Sequence, residues 1–202
     1  MAISRLNQTT LQNGFEKYNQ LWDGRSAVGS MEAISSITVA TARTSIEFNN
    51  IPQTYSHLQI RSIGTTDRST YALDQFALRF NGDSGNNYSF HYLRGNGSSA
   101  VSSGGASYSY IYIESSFSST AGANIFAASI IDILDYTNTN KNTIVRALSG
   151  LDVNGTINAV GGFVALSSGA WLNTVAVTSL SIKSNYDQQI QPYSTFTLYG
   201  IK

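Results

Sequence analysis

The 202-residue sequence contains no cysteine, and this absence rules out disulfide bridges and metal sites built from thiolates. Charge is also scarce, because only 12% of the residues are Asp, Glu, Lys or Arg, about half the usual share. The 12 basic and 12 acidic side chains balance. A nucleic-acid-binding protein normally carries a basic excess or a basic stripe, so nucleic acid is not an expected partner.

Long apolar runs are missing as well. No stretch approaches the length of a membrane span, and the first ten residues, MAISRLNQTT, lack the apolar core of a signal peptide. We therefore expect a soluble protein that is made in a cytosol and has no membrane partner.

Catalytic motifs are the third absence. His57 and His91 lack the spacing of a zinc site or of a nucleophile relay, and G-x-S-x-G does not occur. Asp132 and Asp135 are three residues apart on a predicted strand, so they should point to opposite faces. Gly95–Ala100 fits the dinucleotide fingerprint formally, but no helix pattern follows it. We expect no enzymatic activity, no catalytic residues and no cofactor.

One acidic turn resembles the beginning of a calcium loop. Asn81, Asp83, Gly85 and Asn87 alternate as calcium ligands do, but the bidentate acid that closes such a loop is missing. The pattern favours a hairpin turn over a calcium site, and we predict no metal site.

Among the features that are present, residues 1–30 form an N-terminal arm with its own pattern. Leu11, Phe15, Tyr18 and Trp22 fall at i, i+4, i+7 and i+11, which places them on one face of a helix. Residues 23–30, DGRSAVGS, look like a linker. The helix either packs on its own domain or docks through its aromatic face on a neighbouring protein, and the linker favours docking.

Residues 31–202 predict one all-β domain. We count roughly ten short strands separated by turn-rich segments, which indicates an antiparallel, jelly-roll-like β-sandwich without a helix of ordinary length. Ala33–Val39 and Thr44–Asn49 are expected to pair, Val175–Lys183 to form a late strand, and the Gly/Ser-rich segment Gly95–Ser107 to be a mobile loop.

The stretch 123–150 predicts a hairpin of unusual character. An almost unbroken apolar run, Ile125–Leu134, is followed by the turn residues Thr137–Asn140 and by a second β-branched segment. Since a strand with one exposed face alternates, this run should be covered on both faces, by the partner sheet and by a loop or another copy of the protein. Asp132 and Asp135 should make structural hydrogen bonds near this hairpin.

Tyr108, Tyr110 and Tyr112 are the best candidate binding residues in the domain. Their spacing of two places all three rings on one face of a strand. Such a row makes a subunit interface, packs at the rim of the core, or stacks on the sugar rings of a glycan. Trp171 is expected to plug one end of the sandwich.

Several phrases in residues 31–202 resemble a β-structured domain that is common among virion proteins of tailed bacteriophages. The ending Ser194–Lys202, with Phe-x-Leu-Tyr-Gly-Ile, carries the resemblance most clearly. The other phrases are Ile37–Val39, Ser45–Phe48, Ile51–Arg61, Leu78–Asp83, Asn87–Tyr92 and Ile131–Tyr136 with Lys141.

The resemblance implies a non-enzymatic structural part of a virion. It suggests a head decoration or cement protein, or a head fibre, that docks on the particle through the N-terminal arm, with Leu11, Phe15, Tyr18 and Trp22 as the docking face. The expected partners are its own copies in a homotrimer and the major capsid protein or another virion protein. The alternative is a tail-fibre or baseplate module that binds a host surface receptor or glycan.

Overall fold

The structure is a computed structural model that describes residues 30–69, 71, 73–118, 124–153 and 162–202. Within these ranges the chain forms twelve β-strands and no helix, which confirms the expected all-β class. The strands are β1 Met31–Thr38, β2 Ser45–Phe48, β3 His57–Thr66, β4 Leu73–Phe80, β5 Tyr88–Gly95, β6 Ala100–Tyr108, β7 Ile111–Ser118, β8 Ala127–Leu134, β9 Thr143–Leu151, β10 Phe163–Trp171, β11 Leu180–Ser184 and β12 Thr195–Ile201.

The strands form the two layers of an antiparallel β-sandwich. The large sheet has the order β1-β12-β3-β8-β9-β10-β5-β6, and every neighbouring pair in it is antiparallel. The small sheet has the order β2-β11-β4-β7. The last residues of β3, Thr65 and Thr66, pair in parallel with the end of β7, so β3 joins the two layers.

The core lies between the sheets and is built by strict alternation. Odd-numbered residues of β9 and β10 are buried, while nearly all even-numbered ones are exposed. Rings from opposite layers meet edge-on or tilted, Phe76 with Phe196 at 5.6 Å and Phe80 with Trp171 at 5.5 Å between centroids. Burial of each such side chain contributes roughly 1.5–3 kcal/mol, so these contacts hold the layers together.

The predicted hairpin in the stretch 123–150 is confirmed as β8 and β9. Ile130 faces Leu148 in the register, and a turn closes through Asn138 N–H, which donates to the Asp135 carbonyl at 2.9 Å. Ile131 is 1% exposed and faces the core, whereas its neighbour Ile130 is 38% exposed on the other side. One face of the apolar run is therefore buried in the sandwich, and the other lies on the outside of the large sheet.

Strand pairing at the beginning of the domain differs from the prediction. β1 pairs with β12 in the large sheet, and β2 pairs with β11 in the small sheet, so the two segments do not pair with each other. The alternation in each segment indicates which side chains face inward, but carries no information about the partner strand. The late strand is also shorter than expected and begins at Leu180.

The Gly/Ser-rich segment predicted as a mobile loop contains strand β6, which pairs with β5. Its glycines have a packing role, because a Cβ at Gly104 would overlap the ring of His91 on the neighbouring strand. Glycine weakens strand propensity in isolation, but here it lets that ring lie across β6. The composition therefore gave a wrong prediction for this segment.

Candidate functional site

The outer face of the large sheet carries a row of apolar side chains on consecutive strands. Ile130 of β8 pairs with Leu148 of β9, which pairs with Leu166 of β10, which pairs with Leu93 of β5. All four are exposed. Arg61 of β3 continues the row on the other side of Ile130. Hydrogen-bonded strands hold these side chains at fixed spacing, so the row is rigid.

A groove lies beside this row because small residues occupy its centre. In the next row, Ala128 of β8 and Gly150 of β9 lie between Ile63 of β3 and Val164 of β10, both of which are large and exposed. The resulting outer groove has a volume of about 970 Å³ and includes Phe126 in its wall. We use the name outer groove for the depression between Arg61, Ile63, Ile130, Leu148 and Val164.

A polar row borders the apolar one on the opposite side. Asp132 Oδ1 accepts a hydrogen bond from Gln59 Nε2 at 2.8 Å, and its Oδ2 accepts one from Arg146 Nη2 at 3.0 Å. A paired charge therefore separates Ile130 and Leu148 from the next apolar pair on β8 and β9, Leu134 and Ile144. An exposed apolar area with a polar rim is typical of protein–protein interfaces.

Asp132 and Asp135 make separate contacts. Asp135 lies in the β8–β9 turn, where Lys141 Nζ donates to Oδ2 and His57 Nδ1 lies 3.2 Å from Oδ1. The hydrogen bond from Lys141 lowers the pKa of the Asp135 carboxyl. His57 Nδ1 also accepts the backbone N–H of Asp135 at 3.0 Å. Each aspartate is thus engaged in its own ion pair.

The three tyrosines lie side by side, but the prediction that they share one face of a single strand is wrong. Tyr108 ends β6, Tyr110 lies in the connection, and Tyr112 belongs to β7. Tyr108 and Tyr110 have ring centroids 5.9 Å apart, and Tyr110 and Tyr112 6.5 Å. Tyr112 also stacks on Phe90 at 4.9 Å and on Tyr92 at 5.9 Å, where β5 of the large sheet packs against β7 of the small sheet. Burial raises the pKa of the Tyr112 phenol. The row is therefore open to solvent at Tyr108, which is 40% exposed, and packed at Tyr112.

The acidic turn between β4 and β5 is held by the carboxylate of Asp83. Oδ1 accepts Gly85 N–H at 2.8 Å, and Oδ2 accepts Asn87 Nδ2 at 2.8 Å and Trp171 Nε1 at 2.7 Å. These hydrogen bonds, with that of Asn87 the largest, lower the pKa of Asp83. No group of three or more metal-binding side chains is found in the described ranges. The Asp83–Trp171 bond joins residues distant in sequence, so no local signal reveals it.

A buried acid on β7 was also missed by the sequence analysis. Glu114 is 1% exposed, and its Oε2 lies 3.3 Å from Arg94 Nη1, while Gln75 Nε2 donates to Oε1 at 3.4 Å. Burial raises the pKa of Glu114 despite the nearby guanidinium. Glu114 continues the two-residue spacing of Tyr110 and Tyr112. This spacing was the available signal that it shares their side of the chain.

The remaining candidates are His91 and the docking face of the arm. His91 is exposed on β5 and lies over Gly104 of β6. Leu11, Phe15, Tyr18 and Trp22, the predicted docking face of the arm, lie outside the described residues.

Comparison with protein-family models, with curated proteins and with solved structures found no match. In the part of the chain that the structure describes, no helix is long and apolar enough to cross a membrane.

Proposed function

We propose that the protein is a non-enzymatic structural component of a tailed-bacteriophage particle, a head decoration protein that adds to the particle surface through protein–protein contacts. The apolar outer face of the large sheet is the observation that supports an assembly role. Its large side chains come from consecutive hydrogen-bonded strands and stay half-exposed in the single chain. Covering the exposed part of each would contribute roughly 1 kcal/mol.

Low charge is consistent with this role. A chain with only 12% charged residues and no net charge has few charges to desolvate when its surface meets another protein. The assignment to a virion rests on the resemblance of residues 31–202, including the ending Ser194–Lys202, and the homotrimer is part of the same proposal.

The location and copy number of the protein in purified particles test the proposal. Immunogold labelling or cryo-EM density on heads, with hundreds of copies per particle by quantitative mass spectrometry, is the expected result. Labelling of tail tips with bare heads, at a few copies per particle, would refute decoration. Absence from particles would refute a virion role altogether.

A tail-fibre module that binds a host glycan is the second candidate, and the open end of the tyrosine row favours it. Tyr108 presents an exposed ring, with Tyr110 beside it, and aromatic rings stack on sugars. This candidate predicts binding on a glycan array that Tyr108→Ala abolishes. Tyr193→Ala is the matched control, because Tyr193 is exposed and bonds to Val39 beside β1 and β12, at the opposite end of the large sheet from β6. An array without any binding would contradict this candidate.

A further inference from the structure

The outer groove is an apolar depression that none of the described residues covers. Its floor is formed by Ala128 and Gly150, and its walls by large side chains such as Ile63, Leu148 and Val164. Arg61 stands at the side of the groove that is nearer to β12 and β1. An occupant should therefore present several large apolar side chains along one line.

The N-terminal arm enters the sheet on this side of the molecule. Ser30 is fixed because its carbonyl accepts the backbone N–H of Lys202 at 3.0 Å. The sulfur of Met31 lies 3.9 Å from Arg61 Nη2, and Arg61 lines the groove. The 29 residues that precede Ser30 thus reach the sheet through a residue that contacts the groove wall.

The linker is long enough to bring the arm over the groove. β3 lies two strands from β1 and β10 lies five strands away, which corresponds to about 10 and 24 Å at the usual strand spacing. Residues 23–30, if extended, span about 26 Å.

The register places Met31 level with His57, six residues along β3 from Ile63, which adds about 20 Å along the strands. With both offsets combined, Ile63 lies about 22 Å and Val164 about 31 Å from the beginning of β1. Trp22 can therefore reach the β3 side of the groove without any change in β1, and the helix would continue from there toward β10.

The dimensions of the predicted helix face also match. Leu11 and Trp22 are eleven residues apart in sequence, or about 17 Å along a helix. Four of the strands that line the groove, β3, β8, β9 and β10, span about 14 Å. Leu11, Phe15, Tyr18 and Trp22 would thus cross all four strands in one pass.

We propose that residues 9–22 dock in the outer groove through Leu11, Phe15, Tyr18 and Trp22. The site is completed by this chain itself, through its own arm or through the arm of a neighbouring copy. Exchange of arms between copies would link them into an oligomer, and would leave residues 1–8 for contacts elsewhere.

The docked arm would cover Ile130 and Leu148 and would leave Leu166 and Leu93, the rest of the exposed apolar row, for contacts with other proteins. The inference does not depend on the virion role, because it concerns only this chain.

Limited trypsin digestion of the full-length protein tests the docking. In the wild type, cleavage after Lys17 should be slow, because a docked segment must first detach. Leu148→Asp places a charge in the groove and should accelerate this cleavage at least tenfold, as followed by mass spectrometry. Leu172→Asp is the matched control, because Leu172 is 52% exposed outside the groove and Leu148 is 49% exposed within it. The control should cleave like the wild type.

Engineered disulfides provide an independent readout, since the sequence has no cysteine of its own. The double variant Phe15→Cys, Leu148→Cys should form at least tenfold more disulfide than the double variant Phe15→Cys, Leu172→Cys. A cross-linked monomer would assign the groove to the arm of the same chain, and a cross-linked dimer to the arm of a neighbouring copy.

Other occupants give different results. Rapid cleavage after Lys17 in the wild type, with equal cross-linking of both pairs, would overturn the proposal and leave the groove to a foreign partner. A loss of oligomer mass in Leu148→Asp without any change in Lys17 cleavage would overturn it in favour of face-to-face pairing of two large sheets.

Discussion

The bond between Asp83 and Trp171 leads to a prediction whose magnitude follows from the structure. Asp83→Asn keeps the shape of the side chain but leaves one acceptor oxygen for three donors. With that oxygen kept on Gly85 N–H, an amino group replaces the oxygen that accepts hydrogen bonds from Asn87 and from Trp171. Trp171 is 1% exposed, so its indole N–H would lose its partner inside the protein. An unpaired buried donor costs about 1–3 kcal/mol, and Asn87, which is half-buried, adds less. We expect a loss of about 2–3 kcal/mol at neutral pH.

Urea unfolding followed by circular dichroism measures this loss. For a chain of this size, the change corresponds to a decrease of roughly 4–12 °C in the melting temperature. Trp171→Phe removes the donor, so Asp83→Asn should cost about 1–2 kcal/mol less in that background than in the wild type. This double-mutant cycle separates the bond itself from the loss of indole packing.

The pH dependence has a definite sign. The pKa of Asp83 is lowered in the folded protein, so its contribution is present above its ordinary value of 3.8 and is lost as the pH falls through the folded pKa. The stability difference between wild type and Asp83→Asn should therefore be constant near neutral pH and shrink in acid. A difference below about 0.5 kcal/mol at neutral pH, or one that does not shrink in acid, would refute the reasoning.

Three further predictions concern the core. Ile131→Ala should lower the free energy of unfolding, measured by urea titration, by about 2–5 kcal/mol. Ile144 is 46% exposed on the outer face, so Ile144→Ala should lower it by about 1 kcal/mol or less. Equal losses would contradict the assignment of Ile131 to the core face and Ile144 to the outer face. Ser149→Ala should be neutral or stabilising by up to about 1 kcal/mol in thermal melts, because the buried Ser149 hydroxyl has no partner among the described residues. Ser129→Ala is the control and should destabilise the protein, because the Ser129 hydroxyl is hydrogen-bonded to that of Ser62. The pKa of Glu114 is raised in the folded protein, so the contribution of this side chain to stability is full below its ordinary value of 4.5 and is lost as the pH rises through the folded pKa. The wild type should therefore lose stability relative to Glu114→Gln as the pH rises over this range. A stability difference that does not change with pH would contradict this prediction.

Much of the fold could be predicted from the sequence where local pattern determines it. The hairpin of β8 and β9 follows from an apolar run, a polar turn and a β-branched return, and the facing of Ile131 is a matter of alternation. Partner strands could not be predicted in the same way. β1 and β2 are close in sequence, but they lie in different layers and pair with β12 and β11.

The outer groove was beyond sequence analysis for a related reason. Its depth depends on Ala128 and Gly150 lying opposite each other between Ile63 and Val164. These residues are distributed over about one hundred positions of the chain, and each is unremarkable in its own segment. Only the register of four strands places two small residues side by side among large ones.

The sequence predicts a cover on both faces of β8, and among the described residues only one of the two faces has one. The apolar run predicts two covered faces, and the small sheet covers only the side with Ile131. The uncovered area around Ile130 is bounded on one side, because the next outward residue of β8, Asp132, pairs with Arg146 and separates Ile130 from the apolar pair of Leu134 and Ile144. A strand face exposed to solvent usually carries a polar residue at a position such as 130. A strand face buried in a continuous interface seldom carries an ion pair such as that of Asp132. The pattern therefore suits an occupant that crosses the sheet in a narrow band, as a single helix would, better than a broad sheet laid flat on the whole face.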